Sequence, residues 1–237
     1  MLKNWRLTIN MLTPLAVKPP QLDALLMWEL SNRIGLNRSD ELNLKQAEGF
    51  MPEKLTRNVL LSQVKKCEHL PLCKKTIAGV DIFRCSDPIY RIEYEYHERQ
   101  AKRFECDKMA LMLHESERKS LLIASGPYKM RFVPIRCMLI PKVVYFFRGD
   151  KIEVRKLLKG VFAIGKHRNI GYGFVKSFEF EETQDDYSVF AGRVLMRSIP
   201  FVDDPTIEGA RRSYGACKPP YWHPDNYIEI LEPCGEI

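Results

Sequence analysis

The stretch from Asp150 to Glu181 constrains the fold more than any other part of this chain. Asp150 to Lys159 reads as a helix. Asp150 and Glu153 form a capping-box-like pair, and Val154, Leu157, Leu158 and Val161 give one apolar stripe. Phe174 to Glu181 alternates as a strand, with Phe174, Lys176, Phe178 and Phe180 against Val175, Ser177 and Glu179. Between them runs Gly165-Lys166-His167-Arg168-Asn169-Ile170-Gly171-Tyr172-Gly173. The order is helix, loop, strand. Rossmann and P-loop phosphate sites run strand, loop, helix with other glycine spacings, which argues against a nucleotide-cofactor fingerprint. Glycine lets backbone N–H groups approach a ligand and permits φ > 0. Lys166 and Arg168 add fixed positive charge, and Tyr172 adds a stacking face and a hydroxyl. Phosphate and unpaired bases suit such a loop; the plain alternative is a tight turn.

The rest of the chain supplies the partners of this unit. Trp5, Leu7, Ile9 and Met11 alternate as a strand, broken by Pro14, Pro19 and Pro20. Gln21 to Ile34 carries Leu22, Leu25, Leu26 and Leu30 at helical spacing, with Gly35 as a stop. Leu36 to Asp81 is polar and lysine-rich and reads as an inserted arm. Pro88 to Arg99 reads as a strand, Arg131 to Arg148 as a long apolar strand region bent at Pro134 and Pro141, and Ser188 to Met196 as another strand. A proline-rich tail follows. The order β-α, insertion, β-β-α-loop-β predicts an α+β protein with a ferredoxin-like or RRM-like split βαβ unit. Its core would be residues 1–35 and 82–183, with a thumb-like arm at 36–81 and a C-terminal extension at 184–237.

A length of 237 residues allows a substantial core, and 45% hydrophobic with 28% charged residues is ordinary for a globular protein. The net charge of +7 suits a polyanionic partner if it is clustered, since 30 acidic residues oppose it. No apolar run is long enough to cross a bilayer, and no signal-peptide core follows Met1, so a cytoplasmic protein is expected. Seven cysteines, an odd number, argue for reduced thiols.

Other constellations are weaker. Ser125-Gly126-Pro127-Tyr128-Lys129-Met130-Arg131 sets an aromatic ring, Tyr128, beside Lys129 and Arg131, an interleaving that suits single-stranded nucleic acid. Arg99, Lys102 and Arg103 read as solvated surface, and Arg211, Arg212 and Tyr214 lie in the tail. Tyr221 and Trp222, in Lys218-Pro219-Pro220-Tyr221-Trp222, read as staples of the tail onto the core. Cys67, His69 and Cys73, with Cys85 downstream, have spacing wider than a usual zinc site, so no metal and no cofactor are expected. No Ser-His-Asp order or H-E-x-x-H motif is present. His167 with Tyr172 or Lys129 could support metal-free RNA cleavage; otherwise these residues hold phosphates.

Four segments resemble one family of the RAMP superfamily of CRISPR proteins. They are Pro20 to Leu26, Ser125 to Lys129, Ala163 to Val175 and Lys218 to Trp222. Together they look like the type IV CRISPR effector subunit that caps the five-prime end of the guide RNA. The resemblance implies a non-catalytic subunit whose glycine loop holds the five-prime handle of the CRISPR RNA (crRNA). Gly165, Lys166, His167, Arg168, Gly171, Tyr172 and Gly173 match that loop, and Lys129 matches the Gly-Pro-Tyr-Lys motif. Asn169, Tyr128 and Arg131 join the expected RNA-binding set. The implied partners are the backbone and large subunits, with the target DNA duplex nearby. A guide-processing endoribonuclease of the same superfamily and a stand-alone RRM-type module are the alternatives.

Overall fold

The computed structural model describes residues 2–33, 70–102, 129 and 131–234. Its elements begin with β1 (Lys3–Met11), α1 (Leu22–Arg33), β2 (Lys74–Ile77), β3 (Val80–Phe83), β4 (Ile89–Tyr90), β5 (Tyr94–Lys102), β6 (Arg131–Leu139) and β7 (Lys142–Gly149). Then come α2 (Lys151–Leu158), β8 (Val175–Glu182), β9 (Phe190–Ala191), β10 (Val194–Leu195), β11 (Ile199–Pro200), β12 (Ala210–Ala216) and β13 (Tyr227–Pro233). The fold is α+β, dominated by antiparallel pairing.

The main sheet has the order β4-β7-β1-β8, antiparallel throughout. The alternation read in β1 holds: Trp5, Leu7 and Ile9 point inward, and Leu7 and Ile9 are fully buried. Burying such a side chain contributes about 1.5–3 kcal/mol. Leu7 and Ile9 face Phe180 and Phe178 across β8, and Tyr145 and Val143 across β7. Leu22, Leu25 and Leu26 of α1 and Val154, Leu157 and Leu158 of α2 enter the same cluster. The helix cap works as expected, with Asp150 Oδ1 accepting from the N–H groups of Ile152 and Glu153 at 2.8 and 3.2 Å. Glu153 does not reach back to the cap; it pairs with Lys156 instead.

Several expected strands are divided. The strand expected from Pro88 to Arg99 breaks at residues 91–93, leaving β4 and β5. The region from Arg131 to Arg148 is two strands, because the chain leaves β6 at Ile140-Pro141 and enters β7. Pro134 does not interrupt pairing; it sits in β6 opposite Arg99. Yet the register is continuous across the break. Tyr90 faces Val143, and Tyr94 faces Leu139, with three residues intervening on each side. β4–β5 and β6–β7 are therefore one long hairpin. Its inner end joins the main sheet, and its outer half reaches Lys102 opposite Arg131.

The C-terminal part is not merely an extension. Ser188 to Met196 is a tight hairpin of β9 and β10 turning at Gly192-Arg193, not one strand. The proline-rich tail forms a three-stranded sheet, β11-β13-β12. Val189, Leu195, Ile199, Cys217, Ile230 and Leu231 build a second core with Ile82 of β3. Residues 70–81, the far end of the expected arm, also pack on the body: Leu70 and Leu72 enter the first core, Leu72 bridges to Gly149, and β2 pairs with β3. Residues 36–69 of that arm, and the Gly35 stop, lie outside the described residues.

Arg197 joins the two cores. It is fully buried, as is Asp23 at the start of α1, and Arg197 Nη2 lies 2.7 Å from Asp23 Oδ2. The guanidinium also donates to the Cys85 and Cys217 carbonyls at 2.8 and 3.0 Å. Tyr221 donates to Asp23 at 2.9 Å. Burial works against charge on Arg197, but Asp23, together with Cys85, Tyr221 and Asp87, more than offsets it and holds the guanidinium charged. Removing one partner of a buried pair costs about 3–5 kcal/mol, because the other charge is left uncompensated. Asp23→Ala should therefore lower the urea-unfolding free energy by about that amount. Glu182→Ala, which breaks the exposed Lys3 pair, should cost about 1 kcal/mol or less. Equal costs would show that Asp23 is not a keystone.

Candidate nucleic-acid interface

The glycine loop is closed at its base by backbone pairing. Ala163 bridges Phe174, Ile164 N–H donates to Gly173 C=O at 2.8 Å, and Gly173 N–H donates to Pro14 C=O at 2.8 Å. Gly173 has φ +72°, and a Cβ there would stand 2.0 Å from the Ile164 carbonyl oxygen, so only glycine fits. Gly171 differs. It has φ +102°, and a Cβ there would meet open space. Residues Arg168–Ile170 form a single 3-10 turn after His167, which is itself in the left-handed region at φ +61°.

This turn splits the loop's backbone donors into two sets. The N–H groups of Ile170, Gly171, Tyr172 and Gly173 all have carbonyl acceptors. Those of Lys166, His167, Arg168 and Asn169 have none among the described residues. Lys166, His167 and Asn169 are exposed, and Arg168 is half-buried. Arg168 lies over the indole of Trp28, with its guanidinium carbon 4.2 Å from the ring centroid. The result is a run of open donors under fixed positive charge, an arrangement that binds anionic oxygens.

Tyr172 has a different place from the one its sequence suggests. It is only 8% exposed and packs with Ala16, Ile135 and Cys137, with Tyr96 against them. Its hydroxyl donates to Glu98 of β5 in a short hydrogen bond. That bond, with desolvation second, pushes the phenol pKa up, so it stays protonated. Tyr172 therefore fastens the loop to the long hairpin and offers no stacking face. Pairing puts Tyr96, Glu98 and Gln100 on one face with Cys137, Ile135 and Val133, and Arg131 continues that face outward. Arg131 lies four residues beyond Ile135, or about 13 Å along the strand. Lys129 is exposed; Tyr128 lies outside the described residues.

The remaining candidates resolve simply. Tyr221 staples the tail as expected, through Asp23, whereas Trp222 is half-exposed beside His223. Cys85 is buried against Arg197, which donates to its sulfur at 2.8 Å, and burial pushes its thiol pKa up. Cys67 and His69 lie outside the described residues. Among the described residues no helix is long and apolar enough to cross a membrane. Trp28 escapes sequence reasoning, although a signal exists: it falls off the Leu22-Leu25-Leu26 stripe, where a tryptophan is unexpected.

The role of Tyr172 as a fastener has a measurable consequence. Tyr172→Phe should cost about 1 kcal/mol for one hydrogen bond, and Tyr172→Ala about 3 kcal/mol or more for removal of the ring. Urea unfolding measures both. A stability unchanged in Tyr172→Ala would return the ring to solvent and to the ligand.

No curated protein matches the chain. A family model does match, over residues 4–233, so nearly the whole described body and the segments outside it fall within the match. The chain belongs to the family of the CRISPR type IV associated protein Csf3.

Proposed function

We propose that the chain is the non-catalytic subunit of a type IV CRISPR effector complex that holds the five-prime handle of the crRNA on its glycine loop. The observation that carries this reading is the run of open N–H groups from Lys166 to Asn169 beneath the charges of Lys166 and Arg168. The closed base and the Tyr172 fastener support it, since a preorganised loop loses little entropy on binding. The sheet order β4-β7-β1-β8, with a helix after β1 and another after β7, agrees with the expected split βαβ unit. It supports a ferredoxin-like, RAMP-type core. Family membership supports backbone and large subunits as neighbours, and residues 36–69 are the proposed arm toward them. The target duplex is the proposed further contact.

Particular residues disfavour the Tyr172 form of the endoribonuclease and the RRM-type module; the form that uses His167 with Lys129 is decided by the cleavage assay below. An endoribonuclease using His167 with Tyr172 would need a phenol free to exchange its proton, but that phenol is committed to Glu98. An RRM-type module would stack bases on the sheet. There, Phe178 and Phe180 pack against the core, while the outward face carries Arg6 paired with Glu181 and Asn10 bonded to Glu179. Carboxylates on that face repel phosphate.

Two measurements test the proposal. Lys166→Glu should weaken binding of single-stranded crRNA repeat and flatten its salt dependence. The slope of log K against log salt should fall by about 0.7 for each phosphate that the loop no longer neutralises. An unchanged slope would overturn the loop assignment. Repeat RNA incubated with the purified chain should stay intact; site-specific cleavage abolished by His167→Ala would establish the endoribonuclease instead.

A further inference from the structure

We infer that Trp28 and Arg168 together form a stacking site for one unpaired base of the bound RNA, next to the phosphate held by the loop. The inference rests on the RNA-holding reading above and adds a residue from α1 to it. Among the described residues, Arg6, Arg136, Arg211 and Arg212 each pair with a carboxylate. Arg168 has no such partner there. What holds it is the indole of Trp28, at 4.2 Å. A cation over an aromatic face is attracted without being neutralised, so its full charge remains available.

Geometry favours a base over a second phosphate as the main occupant of this pair. Trp28 is 39% exposed, which is high for an indole on a helix that contributes to the core. The guanidinium is planar, and its carbon lies over the indole at 4.2 Å from the ring centroid. A guanidinium seated on an indole can take another flat π-system, as guanidinium planes do with unpaired bases. The open N–H groups of Lys166 and His167 belong to the two residues that precede Arg168 in the chain. A nucleotide presents a flat ring and a phosphate within one residue and matches both halves of this site. An acidic peptide would satisfy the charges but leave the aromatic surface of Trp28 unused.

The experiment uses the full chain and single-stranded repeat RNA carrying one abasic nucleotide at successive positions. For the unaltered chain, one position should stand out, with its abasic RNA bound about 5- to 150-fold more weakly, the factor expected for one stacked base. Trp28→Leu and Arg168→Lys should weaken the intact RNA by a similar factor and abolish the sensitivity at that position. Trp28→Phe should restore part of it. If Trp28→Leu fails to fold, Arg168→Lys carries the same comparison. Equal weakening of intact and abasic RNA by these variants would make the pair a fastener of the loop alone; the inference would fall while RNA holding stood. Failure of the unaltered chain to bind RNA in a Lys166-dependent way would overturn both.

Discussion

The buried contact between Arg197 and Asp23 is the constraint on which the rest of this architecture depends. One guanidinium ties the first turn of α1 to the strand end at Cys85 and to the tail at Cys217 and Tyr221. It sits where the two cores meet, one built on the main sheet and the other on β3 and the tail sheet. Hydrophobic burial alone would let these two bodies slide, since apolar contact has little direction. Five directed bonds from one side chain fix their relative placement. Its Nε has no partner among the described residues, so the knot is dense but not complete.

The loop depends on this placement at one remove. Its base is paired to the segment after β1, through Pro14 and Thr13, and that segment leads directly into α1 and Asp23. Its side is fastened to the long hairpin by Tyr172 and to α1 by Arg168 and Trp28. The glycines divide the work. Gly173 is required by a carbonyl at contact distance, Gly171 by its backbone angle alone. Among the described residues, the backbone N–H groups from Lys166 to Asn169 remain uncommitted.

Local pattern makes much of this legible in the sequence. β1, α1, α2 and β8 form where alternation or helical spacing places them, because each buries one regular face against the same core. The tail is opaque: β11 is two residues ending in a proline and pairs with β13 past the intervening β12, and prolines fill the connections. The break in the strand after Pro88 is opaque for another reason. Alternation records which way side chains point, and β4 and β5 keep one register while belonging to different sheets. At the site, glycine and charge are legible as chemistry, but the direction of Tyr172 is not. An aromatic residue inside a basic loop reads the same whether it faces ligand or core. The segments around Asp23 and Tyr221 that carry the family resemblance mark the buried knot rather than a binding surface.

The central position of β1 sets the timetable on which this protein comes into being. Both edges of β1 are occupied by strands that follow it by more than 130 residues, and Asp23 meets its countercharge only at Arg197. On a ribosome adding about 5–20 residues per second, the first strand waits for many seconds with its edges and apolar face unsatisfied. Pairings this distant form slowly because the intervening chain must first be closed into a loop. A chain that stops before Arg197 keeps an uncompensated carboxylate at the centre of its nascent core. The buried knot therefore closes only once Arg197 has been added, long after the strand and helix that it locks have been made.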